Sequence, residues 1–291
     1  MIKQMYLYMI PALSLMIIYF VISRKVGTRY DFIVESFKDQ YPLMFMAPVS
    51  LFLIDKFKIM ERLYGQIVKV QQKMISLYGN RTALQHTKIY IAQLISIALI
   101  CLLGTLLFTA LAEGDVTIFV VGLIFTCFMP FAMVSKLSNQ EKERKEKILI
   151  ELPEVVNKLI LLVNAGETVQ QALVKCVTTA SDLKSPLIME LSETVNKMVS
   201  NEPFHQVLND LSKKCGIQEI SIFTTTILLN YRKGGNDLIL ALRELSHELW
   251  EKRKTLSKTK GEEASSKLVF PLVLIFIAVM IIVGYPALTI M

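Results

Sequence analysis

The sequence predicts an all-α fold, a multi-span membrane protein with a cytoplasmic antiparallel helical bundle. Three observations carry that reading. First, 53% of the 291 residues are hydrophobic and mean hydropathy is +0.47, too apolar for an ordinary soluble domain. Second, four stretches, roughly 5–22, 89–111, 116–134 and 268–290, have no ionisable side chain from Asp, Glu, Lys, Arg or His in their interiors. Each approaches the ~20 residues needed to cross a bilayer as a helix. Third, the polar block 136–267 repeats one helical grammar, in which a turn residue is followed by apolar pairs at fixed offsets.

Residues 1–23 form the first span. Its positive charges, Arg24, Lys25 and Arg29, follow the apolar run and no small-x-small cleavage site precedes them, so it reads as an anchor rather than a cleaved signal. Residues 24–88 read as a cytoplasmic helical loop. Within it, 41–54 is apolar but short and holds two prolines, which suits an interfacial or protein-packed segment. The stretch 57–79 predicts one amphipathic helix, with Ile59, Leu63, Ile67, Val70, Met74 and Leu77 on its apolar stripe and Gly79-Asn80 closing it. It would pack on the main bundle or lie on the membrane surface.

Residues 89–135 form a transmembrane hairpin turning through Glu113-Gly114-Asp115. The charge run 140–147 (QEKERKEK) reads as a solvated helix face. Outside the segments placed in the cytoplasm, Lys3 is the one basic residue among the 32 Lys and Arg. By the positive-inside rule, both termini and the 113–115 turn face outward, while 24–88 and 136–267 face the cytoplasm. That distribution explains the net charge of +7 without nucleic acid.

The block 136–267 centres on ELPEVVNKLILLVNAGETVQQALVKCV, from Glu151. Pro153 suits the first turn of a helix, where a missing N–H costs nothing. Val155, Leu159, Leu162 and Val163 then make an apolar stripe, Gly166 ends the helix, and Thr168 can cap the next one. Gly166 is followed at plus six and plus seven by Ala172-Leu173, Asn201 by Val207-Leu208, and Gly235 by Ala241-Leu242. Gly adopts the left-handed conformation freely and Asn at some cost. The spacing of about 34 residues suits helical hairpins that bury their faces against one another. Ser185-Pro186 starts a further helix, with Ser185 as its cap.

The segment 236–271 reads as a mechanical link. Leu238, Leu242, Leu245 and Leu249 form a stripe that packs on the bundle, and beyond Trp250 basic residues dominate. Gly261, Glu262, Glu263 and Lys267 make a stem at the lipid headgroups, and Pro271 stands one turn into the last span, 268–291. Gly261 allows either a continuous stem or a bend.

Catalytic patterns are absent from this reading. No Gly-rich phosphate loop ends in Lys-Ser or Lys-Thr, so no nucleotide or other cofactor is expected. His247-Glu248 lacks the second His of a zinc protease motif, and His86 and His205 read as ordinary helix residues. Cys101 and Cys127 lie in spans and Cys176 and Cys215 in the polar block, without CxxC spacing, so free thiols are expected and no metal. The chain reads as a non-enzyme.

The order ELPEVVNKLILLVNAGETVQQAL, RKGGNDLILALRELSHELWEKRK and GEEASSKLVFPLVLIFI resembles the type II secretion system F domain family. More narrowly, it resembles TadB/TadC-like platform proteins of Tad (Flp) pilus assembly. The similarity covers about 150–290 and, by position, the hairpin near 89–134. Asn201 stands where the family often has Gly, and one F-type domain is evident where general secretion relatives carry two. The resemblance implies a cytoplasmic-membrane platform coupling a cytoplasmic secretion ATPase to pilin subunits, with self-association or a sister platform subunit, in contact with membrane lipid and not with nucleic acid. A transporter or channel with a cytoplasmic regulatory domain is the alternative, which the absence of ionisable groups within the spans disfavours.

Overall fold

The computed structural model describes residues 2–37, 41, 43–180, 182, 184–231 and 235–289. Pro42, the Arg232–Gly234 part of the third pivot, and the end of the last span at Ile290 and Met291 lie outside them. The fold is all-α, with no strand among the described residues. Among the described residues, four helices are long and apolar enough to cross a membrane, within Tyr6–Val26, Thr82–Leu111, Val116–Asn164 and Asn236–Ile282. The chain divides into two compact units, 1–144 and 145–291.

In the first unit, α1 (Ile2–Phe37) continues well past the apolar run that opens it. After a 3-10 turn (Met44–Met46) comes α2 (Ala47–Lys56), with Pro48 in its first turn. Then follow α3 (Ile59–Arg62), α4 (Tyr64–Tyr78) and α5 (Asn80–Leu111). The segment 41–54 packs on protein: Leu51 and Ile54 are buried with Val26 and Tyr30 of α1 and Ile91 and Ala92 of α5. Ser50 and Ser96 meet at 2.7 Å, and Lys88 pairs with Asp55 at 2.8 Å.

The single helix expected over 57–79 is instead broken. Lys58 turns left-handed (φ 49) and Leu63 leaves the helix (φ −106, ψ 27), so Leu63 is 47% exposed rather than on a core stripe. The cause is tertiary. With α2 docked on α5, the chain must reverse before α4 can lie on α5 as well, and Ile67 and Met74 then supply the burial.

The hairpin turns where expected. Glu113 and Gly114 are left-handed (φ 60 and 84), and the Asp115 carboxylate accepts from the Thr117 N–H at 2.8 Å to open α6 (Val116–Asn164). A Cβ on Gly122 would sit 2.5 Å from Thr105 Cγ2, so this glycine permits the close approach of α5 and α6. The charge run is less solvated than its composition implies: Arg144 donates to the Ser76 carbonyl and Glu146 receives Lys260 at 2.9 Å.

The second unit is a bundle of the C-terminal part of α6 with α7 (Val169–Thr178), α8 (Pro186–Val199), α9 (Phe204–Cys215), α10 (Gln218–Asn230) and α11 (Gly235–Thr289). Chain neighbours from α7 to α11 pack in succession, as short connections require. Each helix contributes one stripe to a single core, including Leu152, Val156 and Leu159, then Leu173, Leu191, Leu208, Phe223 and Leu242. Fully burying each such side chain contributes about 1.5–3 kcal/mol.

Candidate functional site

No cleft with convergent reactive groups emerges among the described residues. What the structure does assemble is a set of turns that fix a rigid bundle, and one helix that leaves it.

The first two turns share one bonding pattern. At Gly166 (φ 90), its N–H donates to the Val163 carbonyl at 3.0 Å and that of Glu167 to Leu162 at 3.1 Å. At Asn201 (φ 62), its N–H donates to Met198 at 3.1 Å and that of Glu202 to Lys197 at 3.1 Å. Both are Schellman closures, which satisfy carbonyls left over at a helix end. Asn can stand for Gly because its short polar side chain tolerates the left-handed region. The residues six and seven positions on, Ala172-Leu173 and Val207-Leu208, are all buried.

Thr168 completes a capping box with Gln171: its hydroxyl accepts from the Gln171 N–H at 3.3 Å, and Gln171 Oε1 accepts from the Thr168 N–H at 3.1 Å. Gly235 opens α11, and Leu242 beyond it is fully buried. A further turn, at Gly216 (φ 61), ends α9. It escaped the repeat reading, although Lys213-Lys214 before it and β-branched Ile217 after it are a helix-stop signal.

Pro153 corrects the sequence expectation. It lies deep inside α6 rather than in a first turn. An interior proline removes one hydrogen bond and crowds the preceding turn, a cost of about 3 kcal/mol. Ile148, Leu152, Val156 and Leu159 carry one buried stripe straight past it, and that burial offsets the cost. Ser185 occupies the expected cap position of α8 with different chemistry. Its hydroxyl makes no cap bond and donates to the Glu151 carboxylate instead, tying α8 to α6.

Polar links reinforce the bundle. Ser246 of α11 donates to Asn157 Oδ1 of α6 at 2.6 Å. Lys214 of α9 bridges Glu190 (2.7 Å) and Glu193 of α8, and Lys197 adds a 3.2 Å contact to Glu193. The hydrogen bond from Lys214 is the main reason Glu193 titrates below its ordinary range, against some opposing desolvation. Burial opposes the charge on Lys214, but hydrogen bonds to Glu190 and Glu193 hold its pKa above the ordinary value. Burial pushes the Cys176 thiol up to about 11, with Lys158 pulling weakly the other way, so it remains an unreactive thiol near neutrality. His205 and His247 stand exposed, whereas His86 is buried in the first unit.

The stem is the second half of α11. Leu238, Leu242, Leu245 and Leu249 are buried, and from Trp250 to Ile282 no residue is. Arg253 lies over the Trp250 ring at 4.8 Å, Lys252 pairs with Glu219, and Lys260 with Glu146, so polar contacts hold the helix to the bundle for some three turns beyond the apolar stripe. Gly261 is helical with open space around its Cα, and Glu262 lies 4.0 Å from Lys258. Glu263, Lys267 and Pro271 follow on the same helix with nothing packed over them.

The turns and the stem therefore form one frame, and the comparisons match the region that contains it. No curated protein and no solved structure matches the chain. A family model does, described as Type II secretion system (T2SS), protein F, over residues 155–286. That interval begins within the bundle stripe of α6 and runs through the turns and the stem into the last span. Residues 155–286 are thus similar to the type II secretion system protein F family, in a chain whose described residues include four helices long and apolar enough to cross a membrane.

Proposed function

We propose that this protein is the cytoplasmic-membrane platform of a Tad/Flp-type pilus or related secretion machine. In that role it couples a cytoplasmic secretion ATPase to pilin assembly without catalysing a reaction itself. The bundle faces the cytoplasm, and the chain works beside a sister platform subunit or a second copy of itself.

One observation carries the proposal: α11 is a single helix from the core of the bundle into an apolar span. A partner that turns or pushes the bundle would move the span with it, because an unbroken helix transmits displacement along its axis. The core, the two Schellman turns and the Ser246–Asn157 link keep the bundle from absorbing that motion. The energy must come from a partner, since the sequence has no phosphate loop. Pilin subunits in the membrane would meet the spans, and the bundle surface would meet the ATPase.

The test is co-purification of the full chain with the secretion ATPase of the same cell, together with surface pilus yield after deletion. Salt-sensitive binding and lost pili are expected, because exposed charges are screened over about 8–10 Å at physiological ionic strength. Solute flux through the purified protein in liposomes, with no ATPase binding, would instead establish a channel.

A further inference from the structure

We infer that the exposed turn from Lys56 to Tyr64 is a docking surface for anionic phospholipid at the edge of the bilayer. Its cations would meet lipid phosphates and its apolar side chains the interfacial region beside them. The inference rests on the first unit alone and does not depend on the proposed function.

Two contacts set the level of this turn. Asp55, the residue before it, receives Lys88 of α5 at 2.8 Å. The Tyr30 hydroxyl of α1 donates to the same carboxylate at 2.5 Å. Lys88 is the last charge before the uncharged stretch 89–111, and Tyr30 follows Arg24, Lys25 and Arg29 beyond the first apolar run. The ends of two spans therefore place Asp55 at the same edge of the membrane. The turn begins one residue later, at the level of the headgroups.

The backbone sends apolar side chains outward at that level. An unbroken helix would set Leu63 on one stripe with Ile59 and Ile67, four residues to either side. Instead Lys58 is left-handed (φ 49), which is costly for a residue with a Cβ, and Leu63 leaves the helix (φ −106, ψ 27). Ile59 and Met60 of α3 stay packed on the cluster of Val26, Ile54 and Ile67. Phe57, Leu63 and Tyr64 are left 52%, 47% and 70% exposed. In water that arrangement forfeits the burial of three large side chains. At a bilayer surface the interfacial region receives them, as it receives aromatic belts in general.

Charge then selects among lipids. Lys56, Lys58 and Arg62 are exposed between those apolar side chains. Glu61 is the one acidic residue from 56 to 64, and it lies 3.5 Å from Lys58. An ion pair that open to solvent holds little against a competing phosphate. Lys56 stands 5.8 Å over the Phe52 ring, and Arg62 makes no ion pair among the described residues. The turn therefore carries a net positive charge beside a membrane surface, which attracts anionic lipid and falls off within a Debye length.

The test reads which lipid stands next to the turn. The chain has one Trp, so Tyr64→Trp is made in a Trp250→Phe background. Tyr64 is exposed, so the substitution does not disturb the core. The full chain is reconstituted in vesicles of equal parts phosphatidylcholine and phosphatidylglycerol, with bromines near the headgroup end of the chains of one lipid or the other. Brominated phosphatidylglycerol should quench Tyr64→Trp about twice as strongly as brominated phosphatidylcholine, because basic residues at the surface enrich anionic lipid around them. Adding Lys56→Gln, Lys58→Gln and Arg62→Gln should make the two lipids quench equally, although every other cation of the chain remains. Equal quenching with the three cations in place, or a preference that survives their removal, would overturn the inference. So would a Tyr64→Trp that neither lipid quenches and acrylamide reaches freely, since the turn would then face water or a protein.

Discussion

The two halves of α11 share one helix and differ in what stabilises it. From Leu238 to Leu249 an apolar stripe is buried in the bundle, whereas from Trp250 to Ile282 no residue is buried and nearly all are exposed. Burial does not decide whether the backbone stays helical, because the chain is helical throughout. It decides how a substitution is absorbed. Within the bundle, neighbours hold the helix against a local defect. In the stem, the helix depends on its own hydrogen bonds and on a few ion pairs.

The largest contrast is expected from leucine truncation. Leu242→Ala should destabilise the bundle by about 2–5 kcal/mol through lost burial and a residual cavity. Leu272→Ala, at a position 67% exposed in the last span, should leave the melting transition unchanged. Thermal unfolding of the full chain in detergent measures both, and equal effects would break the comparison.

Proline sharpens it. Ala264→Pro should cost about 3 kcal/mol of local helix, since no core spans position 264 as it spans Pro153. The last span keeps its apolar length, so membrane insertion and protein level should be normal while pilus assembly is lost. Normal pili from a correctly inserted Ala264→Pro protein would remove the stem from the mechanism.

Glycine gives opposite signs at the two places. Gly166 holds φ 90, so Gly166→Val should destabilise by about 1–2 kcal/mol through backbone strain despite the free space around it. Gly261 is helical and uncrowded, so Gly261→Ala should stabilise the stem by about 1 kcal/mol. Amide exchange across 255–267 would report the second effect, and faster exchange in Gly261→Ala would contradict it.

The smallest effect is electrostatic and confined to the bundle. Glu193 has a lowered pKa, so its contribution is present above its ordinary value and is lost as pH falls through the folded value, below 4.5. Lys214 has a raised pKa, so its contribution is present below its ordinary 10.5 and is lost as pH rises through a higher folded value. Lys214→Met should therefore flatten the acid side of the stability profile while leaving exchange in the stem unaffected.

Sequence alone determined the features set by neighbours along the chain. An uncharged run of sufficient length marks a span whatever surrounds it, and the Glu113-Gly114-Asp115 turn follows from local backbone chemistry. Gly166 and Asn201 at left-handed turns, the Thr168 cap and the stripe from Leu238 to Leu249 were legible for the same reason. Gly216 was legible too, from its flanking residues, but lay outside the repeat.

Only the tertiary structure decided what depends on residues distant in sequence. Pro153 sits inside α6 because burial along the Leu152–Leu159 stripe outweighs a local penalty. The Ser185 hydroxyl serves Glu151, 34 positions away, rather than its own helix. The break at Leu63 and the level of α2 against α5 depend on the Ser50–Ser96 and Asp55–Lys88 contacts. Local propensities are worth about a kcal/mol or less per residue except at proline, whose interior cost is about 3 kcal/mol, and several large side chains buried at about 1.5–3 kcal/mol each exceed either, so long-range packing prevails at these positions.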